Sequence, residues 1–172
     1  MSGEGRPAPL IVTALFGAAD FALLEGLRRR HYPPERNRVP AHLTLFRHLA
    51  PSLDAELRQR LSGATRGQRA PQARLAGVID LDEGVALRVE SSGLEAIRAD
   101  LADAFAPLLL PQDRAGWRPH VTIANKLAPR VARALLEQMR AGFTAKPLEI
   151  AGLASWWYRD GVWQAHSRHM FA

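Results

Sequence analysis

Two ten-residue windows of this chain are near copies of each other. Residues 42–51 read HLTLFRHLAP and residues 120–129 read HVTIANKLAP, an offset of 78. His, Thr, Leu, Ala and Pro coincide, and the pairs Leu43/Val121 and Leu45/Ile123 are conservative. The apolar positions that follow stay in phase: Leu53 with Val131, Leu57 with Leu135, Leu61 with Met139. A repeat of this kind is the signature of a doubled structural unit. Such a unit packs as two lobes about a pseudo-two-fold axis, which turns the two copies of the motif toward each other.

The order of elements agrees with a doubling. Residues 10–16 form a β-branched, aromatic run that reads as a strand, and Asp20 caps a helix to His31, stopped by Tyr32-Pro33-Pro34. A strand over 41–46 and a helix from Pro51-Ser52 to Ser62-Gly63 follow. Strands over 73–81 and 85–90 meet at Asp82-Glu83-Gly84 as a hairpin. The second half repeats the scheme, with a helix over 94–109, a loop over 111–116, a strand over 120–125 and a helix over 129–141. A closing hairpin pairs 148–158 with 162–170 around Asp160-Gly161. Residues 1–9 are rich in Gly and Pro and read as loose. The expectation is one domain over 8–172, with pseudo-repeats at about 10–81 and 85–158 and a closing strand at 162–170.

Composition narrows the setting. The chain has 172 residues, 47% of them hydrophobic and 23% charged, which suits a globular domain. Cysteine is absent, which removes disulfides, thiol nucleophiles and thiolate metal sites, and a reducing compartment is the default. No apolar run approaches the ~20 residues of a membrane span. The run Pro9 to Ala19 is too closely flanked by Glu4, two prolines and Asp20 to read as a signal peptide, so the cytoplasm is expected. Net charge is +6, and all but two of the 23 basic residues are Arg, the exceptions being Lys126 and Lys146. Guanidinium grips phosphate in a fixed fork, which suits an anionic partner such as RNA; a GC-rich genome gives the same bias.

Each copy of the motif sets His and Thr two residues apart on a strand. The period of two sends both side chains to one face, with Leu43 and Leu45, or Val121 and Ile123, on the other. A doubled unit therefore converges two imidazoles and two hydroxyls on one cleft. Imidazoles with an ordinary pKa near ~6.5 can hold opposite protonation states at neutral pH. One takes a proton from an attacking water and the other gives one to the leaving oxygen, as in-line displacement at phosphorus requires. The threonine hydroxyls donate to the non-bridging oxygens. Nothing in this chemistry calls for a metal or cofactor: the chain lacks Cys and HExxH, and no carboxylate lies within a few residues of either motif.

The segments PAHLTLF and RPHVTIA resemble the paired HxTx signatures of the two-histidine (2H) phosphoesterase superfamily. The branch is similar to the RNA 2',3'-cyclic phosphodiesterases, also called 2'-5' RNA ligases. The resemblance spans nearly the whole chain and implies an α+β, bilobal fold with two mainly antiparallel sheets flanking a central cleft and helices outside. It implies hydrolysis of 2',3'-cyclic phosphate ends of RNA or nucleotides to 2'-phosphates, and 2'-5' ligation in some members. His42 then matches the proton donor, His120 the proton acceptor, and Thr44 and Thr122 the phosphate-holding threonines. Many members carry Arg shortly after the second motif, where this chain has Asn125-Lys126, so Lys126 becomes the charge offered to the phosphate.

Further candidates come from proximity in sequence. Arg118 lies two residues before His120 and could reach a phosphate, while Phe46 and Trp117 are candidates for base stacking. His48, His166 and His169 have no counterparts in the repeat and read as surface or satisfied groups. Arg28-Arg29-Arg30 reads as a solvated helix end. The partners expected are RNA 3' ends or cyclic nucleotides, with no membrane, and a monomer. Two other functions share these residues: a non-catalytic module binding RNA or a phosphorylated ligand, and a 2H phosphodiesterase for 2'-5' oligonucleotides or ADP-ribose cyclic phosphate.

Overall fold

The computed structural model describes residues 7–172; residues 1–6, part of the stretch expected to be loose, lie outside the described residues. The elements run β1 (Leu10–Phe16), α1 (Ala18–His31), β2 (Leu43–Leu49), α2 (Asp54–Thr65), β3 (Gln72–Asp80), β4 (Val85–Glu90), α3 (Ser92–Phe105), α4 (Pro111–Arg114), β5 (His120–Ala124), α5 (Pro129–Gly142), β6 (Lys146–Arg159) and β7 (Val162–Met170). Single 3-10 turns sit at Pro34–Arg36, Pro51–Leu53 and Ala106–Leu108. Several boundaries depart from expectation, among them β2, which runs Leu43–Leu49 in place of the strand expected over 41–46. α2 runs past Gly63 to Thr65, whose buried hydroxyl donates to Leu61 O at 2.8 Å in the last turn. α3 tightens into a 3-10 turn after Phe105, since Pro107 removes a backbone donor. The stretch expected as a loop at 111–116 contains α4, opened by Pro111 at its first position.

The strands lie in the order β2-β1-β6-β3-β4-β5, with β7 on the other edge of β6, and every pairing is antiparallel. β6 is 14 residues long and serves two sheets. Its first residues, Lys146 to Glu149, pair with β3. Its remainder pairs with β1 and β7. The order is palindromic if β1, β2 and β3 are equated with β4, β5 and β6, each half lending its third strand to the other half's sheet. β2 and β5, which carry the two motifs, end up at equivalent edges. β1 is buried on both faces from Leu10 to Ala14, as suits a largely apolar central strand, and its one polar side chain, Thr13, accepts from Trp156 Nε1 at 2.9 Å.

One core joins both lobes, built on Leu43, Leu45 and Phe46 of β2, Val121 and Ile123 of β5, and Leu24, Leu57 and Leu94 of the helices. Ser91 fixes the start of α3: its hydroxyl accepts from Leu94 N at 3.1 Å and donates to Gln72 O at 2.7 Å. The β6–β7 turn holds Asp160 and Gly161 at φ 51° and 78°, the left-handed pair that a two-residue hairpin requires. No helix among the described residues is long and apolar enough to cross a membrane.

Candidate functional site

An edge strand exposes unpaired amides, so something must satisfy them. For β2 that task falls to α3 and the segment between α3 and β5. The Asp113 carboxylate accepts from Arg47 N at 2.9 Å and from His48 N at 3.0 Å. Arg98 donates Nε to Leu45 O at 3.2 Å and Nη2 to Asp113 O at 2.6 Å, with its guanidinium 4.5 Å over the Phe46 ring. Trp117 donates Nε1 to Thr44 O at 3.0 Å. The second half thus fixes the backbone of the first motif.

The reverse also holds. Arg28 of α1 crosses to the second motif, donating Nη1 to Thr122 O at 2.7 Å. Its Nη2 donates to Asn37 Oδ1 at 3.0 Å and to Val39 O at 3.1 Å, just ahead of His42. Its guanidinium lies 4.6 Å over the Tyr32 ring. Arg28 is 3% exposed, so the expectation of a solvated Arg28-Arg29-Arg30 run fails at its first member. The signal was present in the helical spacing, because Arg28 follows Leu24 by four residues as Arg98 follows Leu94.

Both histidines are half-buried at the start of their strands. His42 Nδ1 lies 2.8 Å from Pro40 O, and His120 Nδ1 lies 2.8 Å from Arg118 O. A carbonyl can only accept, so each ring keeps a proton on Nδ1 and leaves Nε2 for the cleft. The cleft, ≈ 260 Å³, is lined by Ile11, His42, Thr44, Arg47, His120, Thr122 and Trp163. That is below the ~300–1,000 Å³ of typical ligand pockets, enough for a phosphoryl group and part of its sugar. Broader hollows of ≈ 840 and ≈ 930 Å³ lie elsewhere on the surface, without a histidine in either.

The structure brings together both histidines and both threonines. It corrects the other candidates. Phe46 is fully buried beneath Arg98 and offers no face to a base. Trp117 is spent on the Thr44 backbone and packs against the core. Neither Arg118 nor Lys126 lines the cleft; Arg118 contributes its carbonyl to His120, and Lys126 lines a separate cavity. The cleft's aromatic group is instead Trp163, 4.6 Å from the His42 ring, and its guanidinium is Arg47. His166 is buried, bridging Ser155 Oγ at 2.6 Å and Asp54 Oδ1 at 2.5 Å, while His169 meets Ser167 Oγ at 3.0 Å. The Ser155–His166–Asp54 chain looks like a hydrolytic triad, but its serine is 1% exposed and serves to pin β7 and β6 to α2.

Burial pushes the His42 imidazole down to about 4, against the raising effect of its bond to Pro40 O; Arg28 and His120 lower it further. Below the ordinary histidine value of ~6.5 the unfolded chain binds a proton that the folded chain refuses. Stability contributed by this group is therefore full above that value and is lost as pH falls toward about 4. The loss is on the order of 3 kcal/mol. Urea unfolding across this range should show a steeper acid-side decline for the native chain than for His42→Ala; parallel curves would contradict it.

Among the described residues no three His, Asp or Glu side chains are grouped to share a cation. Paired imidazoles and hydroxyls across a cleft between two antiparallel sheets define a two-histidine phosphoesterase. A family model for the 2'-5' RNA ligase superfamily matches residues 17–162, and the chain belongs to that superfamily. The crystal structure of TT0787 from Thermus thermophilus superposes with a TM-score of 0.65 at 16% identity, covering 95% of this chain and 97% of that one. E. coli LigT complexed with 3'-AMP gives 0.56 at 21% identity, over 97% of this chain and 99% of LigT. LigT complexed with NADP+ gives 0.63 at 15% identity, over 98% and 99%. At such identities the likeness is one of fold. No curated protein is similar enough to this chain to count as a match.

Proposed function

We propose that this protein opens 2',3'-cyclic phosphates at RNA 3' ends, or on nucleotides, to leave 2'-phosphates. The observation that carries the reading is the matched pair of imidazoles, each locked through Nδ1 to a carbonyl two residues upstream. His120 Nε2 takes the proton of a water that attacks phosphorus. The bond from phosphorus to O3' breaks, and His42 Nε2 gives its proton to that leaving oxygen. The products are a 3'-hydroxyl and a 2'-phosphomonoester. Thr44, Thr122 and Arg47 face the non-bridging oxygens, where charge develops. A 5'-hydroxyl in place of water would yield a 2'-5' linkage by the same steps, without ATP.

His42 is neutral in the empty cleft at pH 7, so the donor role requires the substrate's anionic phosphate to restore its proton. The complexes of LigT with 3'-AMP and NADP+ support the reading in kind, since those ligands are nucleotides. Incubation with a nucleoside 2',3'-cyclic phosphate in EDTA should yield the 2'-phosphate alone. A 3'-phosphate product, or no product from mononucleotide and RNA substrates alike, would refute it. Turnover confined to 2'-5' oligonucleotides or ADP-ribose cyclic phosphate would keep the chemistry and change the substrate.

A further inference from the structure

A further cavity, ≈ 450 Å³, is lined by Tyr32, Glu35, Arg36, Arg38 and Lys126. It holds three cations against one carboxylate. None of the three cations is ion-paired among the described residues. Lys126 is held in the left-handed region at φ 62°, which a residue other than glycine adopts only when its surroundings impose it. Here they do: Leu127 N donates to Glu83 O at 2.9 Å, and Gly84 packs so closely on Ala124 O that a Cβ would sit 2.0 Å away.

No lining residue is common to this cavity and the histidine cleft, but the chain and one buried side chain tie them together. Arg38 stands four residues before His42, and Lys126 four after Thr122, so each lies within about 14 Å of its motif along the chain. The Arg28 guanidinium contacts a residue of each: it donates to the carbonyl of Thr122, which lines the cleft, and stacks on Tyr32, which lines the basic cavity, with a further bond to Val39 O. Arg38 Nη1 lies 3.6 Å from where a Cβ on Gly161 would be, and the same hairpin supplies Trp163 to the cleft. A strand whose terminal phosphate sits between the histidines has its preceding phosphates within reach of this shelf.

We propose that Arg36, Arg38 and Lys126 form a subsite for an internucleotide phosphate, so that the preferred substrate is the end of an oligoribonucleotide over a free cyclic nucleotide. The proposal rests on the phosphodiesterase reading for the identity of the end, and on the unpaired cations for the rest. Each phosphate contact on a single strand contributes about 0.7 to the slope of log affinity against log salt.

The test is fluorescence anisotropy with a labelled single-stranded oligoribonucleotide ending in a 2'-phosphate. The native chain is compared with Arg36→Ala/Arg38→Ala and with Arg36→Lys/Arg38→Lys. The alanine variant should bind about tenfold more weakly at low salt, with a slope shallower by about 1.4. The lysine variant should recover most of both, because it restores the charge. Equal affinity and slope for the native and alanine forms would overturn the subsite. In parallel, the ratio of kcat/KM for a cyclic-phosphate oligonucleotide to that for the mononucleotide should exceed one in the native chain and collapse toward one in the alanine variant. A native ratio of one would also overturn it. Absence of turnover on both substrates would count against the phosphodiesterase reading, and the binding arm would still decide the subsite.

Discussion

On the proposed mechanism, alanine at His42 or at His120 should lower turnover of a 2',3'-cyclic phosphate by about 10²–10⁴-fold, the range of a single general acid or base. The two losses should not multiply, because in the proposed mechanism acid and base act in one displacement and removing either stalls it. The fold survives both changes, since neither ring belongs to the buried core and the edges of β2 and β5 are held through their backbones. The pH dependence separates the two groups. Histidine NMR should find His42 titrating at about 4 in the free protein. A bound nucleotide phosphate should move that titration upward, because the anion offsets the desolvation that depresses it. Between the raised value and about 4, binding must then take up a proton, and across that window it strengthens as pH falls. Native-like turnover in either alanine variant would end the acid–base assignment. A His42 titration already at the ordinary histidine value in the free protein would remove the need for substrate to recharge it.

How much of this could be read beforehand follows from which forces are local. The repeat, the strand and helix order and the His-x-Thr faces are local patterns of period two and 3.6, and they survive into the structure. The errors begin where strict alternation breaks. Counting by twos from His42 and Thr44 puts Phe46 in the cleft. The β1–β2 register shifts between Val12 and Thr13, whose partners are Phe46 and Thr44. This irregularity buries Leu45 and Phe46 side by side, and Arg47 takes the cleft position instead. The same device recurs in β5, where the shift between Val85 and Ala86 buries Ile123 beside Ala124. The residue equivalent to Arg47 is there Asn125, so the cleft receives its guanidinium from one half alone. Trp163 was out of reach for another reason: it arrives on β7, distant in sequence, and only the pairing of β7 with β6 brings it against His42. The buried arginines are marked in the sequence only by their four-residue spacing from Leu24 and Leu94, because charge normally marks a solvated face and only tertiary acceptors reverse that.

Those arginines carry the last prediction. Arg28 braces the second motif from the first half, and Arg98 braces the first motif from the second. Arg28→Met removes the donor from two carbonyls, Thr122 O and Val39 O, and from the Asn37 side chain. Charge-assisted bonds of this kind contribute about 1.5–3 kcal/mol each, and water can re-solvate part of what is exposed, so a net loss of about 3 kcal/mol is expected. For a chain of this size that lowers Tm by roughly 6–12 °C. Arg98→Met should cost a similar amount. The two variants differ at His42, whose proton affinity is lowered by Arg28 and not by Arg98. In Arg28→Met the His42 titration should therefore move up from about 4, and kcat should fall as the Thr122 strand loosens. Arg28→Lys keeps the charge near His42 but cannot span three acceptors with a planar fork. It should hold the His42 titration low while still losing kcat, which divides the electrostatic role of this residue from its positioning role. An Arg28→Met protein with native kcat and an unmoved His42 would reduce Arg28 to a packing residue, and the symmetry of the two braces would then concern stability alone.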